Sequence, residues 1–225
     1  MFIPYEIHDA KYNMEFDEKL LEKCENEDID IALRFYGWNK PSVTLGRNQK
    51  ILGINEEYCK ENNIPIVRRV TGGRALLHDD ELTYCIVCNK KVLKNGSNII
   101  EDYKEISAVI IETLKNFGIS TTYGEKTKSN IGAGYCMNLS TICDIMYEDK
   151  KFIGSAQFRK QTHILQHGAI PYSFNNTLLE KIFDKKVDFS HIISLNDIKN
   201  NFHSEDFMMQ LKSNFEKALY QGKEI

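Results

Sequence analysis

The sequence predicts an α+β fold, with strands and helices grouped rather than strictly alternating. Three observations carry that expectation. Short strand-like apolar runs recur at residues 31–38, 42–45, 64–70 and 82–87, and again at 151–158 and 164–171. Helical spacing is found in a stretch near the N-terminus, in one long central stretch, and in two stretches of the C-terminal quarter. No internal repeat or low-complexity linker divides the 225 residues, a length that suits one large domain or two small ones.

Taken in order, residues 13–25 carry Met14, Phe16, Leu20, Leu21 and Cys24 at helical spacing, which makes an amphipathic helix with an acidic outer face. Residues 31–38 form a strand, and 42–45 another beyond the turn at Asn39, Lys40 and Pro41. Residues 46–49 are a polar turn, and 55–61 a short helix that Asn55 can cap. Strand 64–70 leads through Gly72 and Gly73 to strand 82–87. Ser97 opens the longest helix, whose stripe runs from Ile99 through Ile106, Ile110 and Leu114 to Phe117, and Gly118 ends it. A strand follows at 119–123. Residues 124–140 then lose all periodicity around Gly124, Gly132 and Gly134, which predicts a mobile, functional or disordered loop. Residues 142–147 and 151–158 make a hairpin turning at 148–150, with 164–171 as the next partner. Helices at 177–183 and 205–219 complete the chain, the last capped by Ser204 ahead of Glu205 and Asp206.

Composition excludes some functions. A net charge of −3 argues against nucleic-acid binding by bulk electrostatics, which needs a basic face. No window approaches the roughly 18 apolar residues of a membrane span. Residues 1–9 lack the charged and apolar regions of a signal peptide. The expectation is a cytoplasmic protein with reduced thiols. Cys85 and Cys88 form a C-x-x-C, but no second ligand pair accompanies them, so both read as buried small hydrophobes and no metal is predicted.

The chain is organised around residues 68–84. Arg68, Arg69 and Arg74 flank the Gly72-Gly73 turn, and a short apolar run beyond it ends at His78. Arginines beside exposed backbone N–H groups suit a carboxylate, a phosphate or a polarised carbonyl; the alternative is a tight hairpin with solvated arginines. Cys136 lies among small and polar residues, where a thiol is either a nucleophile or an incidental loop cysteine. Lys151 opens a strand whose Gly154 and Ala156 leave room for a ligand, and period two places Lys151 and Ile153 on the face opposite Phe152. His78 and His167 are each either a base or a buried histidine with satisfied hydrogen bonds.

Together these residues resemble the biotin/lipoate protein ligase superfamily, more specifically its lipoate-protein ligases and octanoyltransferases of lipoate biosynthesis. The resemblance rests on Arg68, Arg69, Thr71, Gly72, Gly73, Arg74, His78 and Asp79, followed by Lys151, Gly154, Ser155, Ala156 and Gln157. Tyr12 to Asp17, Leu33 to Trp38, Pro41 to Gln49 and Gln166-His167-Gly168 agree with it in the family's order. It implies a single catalytic domain over residues 1–225, without a separate C-terminal accessory domain, built as a mixed sheet around an acyl tunnel. It also implies substrate-binding roles for the motif residues, with Gly72 and Gly73 admitting the acyl chain and Arg74 and His78 shaping the site floor. Two chemistries compete within it. A ligase activates free lipoate with ATP and magnesium, and typically carries Asn-Asp before the lysine strand; this chain reads Cys143-Asp144. A cysteine-dependent octanoyltransferase needs no cofactor. It takes octanoyl from acyl carrier protein and passes it to a lipoyl-carrying protein such as the glycine cleavage H protein, with no nucleic acid or membrane as partner. In that type the nucleophile lies fifteen residues before the lysine, the distance from Cys136 to Lys151. The resemblance therefore favours Cys136 as nucleophile, Cys143 in reserve, and Lys151 as its catalytic partner.

Overall fold

The computed structural model describes residues 1–94, 96–124, 143–184, 187–200 and 202–220. The chain opens with β1 (Phe2–His8), α1 (Ala10–Asn26), β2 (Ile31–Trp38) and β3 (Ser42–Leu45). Next come α2 (Glu56–Glu61), β4 (Ile66–Arg68), β5 (Leu76–His78) and β6 (Glu81–Asn89). After α3 (Ile99–Asn116) lie β7 (Thr122–Tyr123), β8 (Ile145–Tyr147), β9 (Lys150–Arg159) and β10 (His163–Pro171), and then α4 (Asn176–Ile182), α5 (Leu195–Ile198) and α6 (Ser204–Tyr220). The α+β expectation and the mixed sheet are borne out.

Among the described residues the strands form two sheets. The larger has seven strands in the order β1-β2-β6-β10-β9-β8-β7. It is antiparallel except for the parallel pair β1 and β2. The smaller places β3 between β4, parallel, and β5, antiparallel. The sequence pattern did not reveal β1. Pro4 has no amide proton and the register shifts between Ile3 and Glu6, which an edge strand tolerates. Helix boundaries move for capping reasons. Asp9 accepts the Tyr12 amide at 2.8 Å, so α1 starts before residue 13. Asn98, not Ser97, caps α3 by accepting from Ile100 and Glu101. The strand expected at 64–70 is paired only over β4, because residues beyond it turn into the glycine pair. Most of the loop expected at 124–140 lies outside the described residues.

Both faces of the large sheet are buried at its centre, where every residue of β2, β6 and β10 is out of water, polar ones included, while the edge strand β1 is largely exposed. Leu82, Tyr84, Ile86 and Cys88 of β6 join Ile106, Ile110 and Leu114 of α3 and Phe207, Leu211 and Phe215 of α6 in one core. The alternate residues Cys85 and Val87 face the other way, onto Leu20, Leu21 and Cys24 of α1. Helix α1 touches β2, β6 and β10 of the large sheet and β3 and β4 of the small one. It is the wedge between the sheets, and fully burying one of its leucines contributes about 1.5–3 kcal/mol. A third core gathers the small sheet with α2 and α4. No helix among the described residues is long and apolar enough to cross a membrane.

Candidate active site

A cavity with about 500 Å³ of empty space, its open mouth included, lies where α1 separates the two sheets. Its walls are mostly apolar, with Met14 from α1, Leu76 from β5 and Ala169 from β10. Of the residues singled out in the sequence, Arg69, Gly73, His78, Gly154, Ser155, Ala156 and His167 all line it. Arg68, Thr71, Gly72 and Arg74 do not belong to this lining.

Two of the three arginines expected to meet a carboxylate, a phosphate or a polarised carbonyl are engaged with backbone carbonyls instead. The Arg68 guanidinium donates to the carbonyls of Gly46, Arg47 and Gln49 at 2.6, 3.1 and 2.9 Å, so it braces a neighbouring turn. Arg69 is buried and donates to the carbonyls of Gly72 and Arg74 at 2.8 Å each, and to that of Thr44 at 3.2 Å. Two guanidiniums thus satisfy backbone acceptors of the glycine turn and its neighbour, which a tight turn cannot satisfy within itself. Gly73 sits at φ +95, and a Cβ there would stand 2.7 Å from Arg69 Nη2.

Arg69 is also the meeting point of two matched arms. Its Nε donates to Thr71 Oγ1 at 3.2 Å, and Thr71 Oγ1 lies 2.7 Å from His167 Nε2. His167 Nδ1 is 2.9 Å from Asp17 Oδ2. On the other side Arg69 Nη1 donates to Thr44 Oγ1 at 3.0 Å, which lies 2.8 Å from His78 Nε2, and His78 Nδ1 is 2.8 Å from Glu81 Oε1. Each carboxylate can only accept, so each histidine carries a proton on Nδ1, with Nε2 paired to a threonine hydroxyl. Both ring nitrogens are therefore engaged, and neither imidazole is offered to the cavity as a base. Burial pulls His167 below the ordinary imidazole range, opposed by Asp17, which keeps the ring neutral.

The outer ends of the arms were not recognised from the sequence. Asp17 also accepts from Arg34 at 2.9 Å and from Tyr36 at 2.9 Å, all three nearly fully buried. The Arg34 guanidinium lies over the rings of Phe16 and Tyr36 at 4.4 and 4.0 Å. At the other end Trp38 donates to Glu81 at 3.0 Å and stacks on His78 at 3.9 Å between ring centroids. A signal for Asp17 was available. It falls on the stripe Ala10, Asn13, Met14, Asp17, Leu20, Leu21 and Cys24, the buried face of α1, not on the acidic outer face.

Lys151 lies at the start of β9, where its ammonium is 3.0 Å from Asp144 Oδ2 and both side chains are only 3% exposed. The expected alternation fails here. Ile145 pairs with Ile153 while Met146 pairs with Lys151, so Phe152 is the extra residue of a bulge. Phe152 and Ile153 consequently enter the same core. Cys143, the reserve nucleophile, is half-buried, and burial followed by the Asp144 charge pushes its thiol up to about 11, which disfavours a thiolate. Cys136 lies outside the described residues. Cys85 and Cys88 are buried as expected, with burial pushing Cys88 up to about 12 and Cys85 well above its ordinary value. Among the described residues no group of three histidines, cysteines or carboxylates is placed to hold a metal.

Fold and site define a mixed-sheet domain with a mostly apolar cavity between its two sheets, lined by residues 154–156 of β9 but not by Lys151, whose ammonium is buried against Asp144 near the start of that strand. Comparison with known proteins places the family. Residues 9–216 match the lipoyl protein ligase A/B catalytic domain, and the chain belongs to that family. It is 38% identical over 181 residues to the Octanoyltransferase LipM of Oceanobacillus iheyensis, covering 80% of this chain and 66% of that protein. It is 33% identical over 213 residues to the Octanoyltransferase LipM of Carboxydothermus hydrogenoformans, covering 94% and 78%. In fold it is similar to the bipartite lipoate protein ligase of Thermoplasma acidophilum, solved as part of an archaeal lipoylation system with its E2 lipoyl domain. The TM-score is 0.71 at 18% identity, over 98% of this chain and 84% of that one. At that identity the likeness speaks for the fold alone.

Proposed function

We propose that this chain is an octanoyltransferase of protein lipoylation. It moves an octanoyl group from acyl carrier protein, through a thioester on Cys136, to a lysine of a lipoyl-carrying protein such as the glycine cleavage H protein. In the first step the Cys136 thiolate attacks the carrier thioester. A new carbon–sulfur bond forms, the bond to the carrier sulfur breaks, and the carrier leaves as a thiol after taking up a proton. In the second step the acceptor's neutral ε-amine attacks, the bond to Cys136 breaks, the amine loses a proton, and an amide results. Thioester to thioester is nearly balanced and thioester to amide runs downhill, so the reaction requires no ATP and no cofactor.

The observation that carries this reading is the shared strand: β9 presents the buried Lys151 ammonium at its start and walls the apolar cavity with residues 154–156. On this reading the reacting end of an acyl chain in the slot lies toward the start of β9, where the Lys151 charge would stabilise the carbonyl oxygen as negative charge develops on it. Seven carbons beyond the carbonyl, at about 0.8 kcal/mol each, give roughly 6 kcal/mol of chain binding. The relatives' name supports octanoyl over lipoyl as the group. The test is to mix the protein with octanoyl-acyl carrier protein and measure its intact mass. The expected result is one added octanoyl on Cys136, absent from Cys136→Ser along with transfer to the acceptor. Attachment of free lipoate that requires ATP and survives loss of Cys136 would instead make the chain a ligase.

A further inference from the structure

We infer that Asp144 is a positioning residue for the transfer reaction, holding the Lys151 ammonium charged and aimed at the acyl carbonyl. The inference rests on the transfer reading above and adds to it a residue to which no role has been assigned.

The geometry is that of a built pair. Nitrogen and oxygen are 3.0 Å apart with both side chains out of water. The backbone on each side is pinned. The Asp144 carbonyl accepts from Gly124 at 2.9 Å, and the Lys151 carbonyl accepts from Ile193 at 3.1 Å. The bulge at Phe152 sets Lys151 opposite Met146, two residues beyond Asp144. A buried ammonium without a counter-charge sheds its proton, and a neutral amine cannot stabilise an oxyanion. The Asp144 carboxylate supplies the counter-charge at 3.0 Å, and its fixed place in the backbone holds the ammonium in one position.

Among the described residues, the phenols and the thiol that feel the Asp144 charge do not compete for this role. Tyr84 of β6 and Tyr103 of α3 both feel its charge, and burial pushes both phenols up, Tyr84 to about 12, so they remain neutral. Cys143 is held as a thiol by burial and by the same carboxylate, while Lys104 of α3 acts on Cys143 in the opposite sense. One carboxylate thus supports the cation that catalysis uses and suppresses a second thiolate beside it.

The experiment follows octanoyl transfer onto Cys136 by intact mass from about pH 6 to about pH 10 for the wild type, Asp144→Asn and Asp144→Glu. Asp144→Asn is expected to slow acylation at neutral pH by roughly tenfold or more and to move the alkaline limb at least about one unit toward acid. Asp144→Glu, which keeps the charge, is expected to retain the wild-type limb at a reduced rate. An unchanged rate, or a uniform loss with an unmoved limb, overturns the inference, because a merely structural role gives no shift. Should Asp144→Asn fail to fold, the cycle of Asp144→Glu, Lys151→Met and their double variant decides. Losses that do not multiply support action through Lys151, and losses that multiply overturn it. If Cys136→Ser gains the same mass as the wild type, the transfer reading fails and takes the inference with it; an unaltered Asp144→Asn sinks the inference alone.

Discussion

Gly72 and Gly73 are neighbours with different reasons for being glycine. Gly73 holds φ +95 against the Arg69 guanidinium, whereas a Cβ on Gly72 would meet nothing within 4 Å. Gly73→Ala should therefore cost about 1–3 kcal/mol of stability, and Gly72→Ala less than about 0.5 kcal/mol, as read by chemical denaturation. Equal costs would show that the turn is not held by Arg69. The motif was legible as a motif; the direction of its arginines was not. A guanidinium beside a glycine turn satisfies an incoming anion or the turn's own carbonyls equally well on paper, and only the third dimension decides. Asp17 carries the converse lesson. Its spacing placed it inside, but a carboxylate on a buried stripe makes sense only once Arg34, Tyr36 and His167 converge on it from other strands. Asp17→Asn removes the charge facing a nearly fully buried Arg34 and should cost about 3–5 kcal/mol, checked by the same denaturation measurement.

At the scale of elements, strands with a clear period-two or continuous apolar pattern were readable, as β2, β6 and β10 show. Those whose identity depends on a partner were not. β1 is an edge strand carrying Pro4, and β5 is three residues inside a motif, so neither has enough pattern of its own. The bulge at Phe152 is likewise invisible to a period-two argument, because it is created by the pairing of β8 with β9. The bond from α1 to β10, through Asp17 and His167, ties a helix to a strand and gives the fold a pH dependence. His167 has its folded value pulled below the unfolded one of about 6.5, so the unfolded chain binds its proton first. Its contribution is then fully present above about pH 6.5 and is lost as pH falls through the lowered folded value. Denaturation midpoints should decline on acidification through that window. The decline should flatten in His167→Gln, whose amide can still donate to Asp17 and accept from Thr71. A decline of the same size in that variant would assign the dependence to another group.

At the scale of the molecule, two sheets of unequal size are held apart by one helix, and the gap beside that helix is the cavity. The slot is thus a consequence of sheet packing, with walls from α1, β2, β3, β5, β6, β9 and β10. Such a slot selects ligands by how much apolar length it can cover, because each methylene withdrawn from water contributes about 0.8 kcal/mol. Shortening the acyl donor from octanoyl to hexanoyl removes two methylenes, about 1.6 kcal/mol, and every 1.4 kcal/mol is tenfold. On the proposed transfer, kcat/KM for acylation of Cys136 should then fall about fifteenfold, with most of the loss in KM, because shortening the tail leaves the reacting end unchanged. A steady-state comparison of hexanoyl and octanoyl carrier thioesters measures it. If instead kcat fell and KM held, the chain would be acting on the alignment of the carbonyl and not on binding. A flat response to length would mean that the acyl tail does not occupy the gap between the sheets, and the catalytic end of β9 would have to be reached from another side.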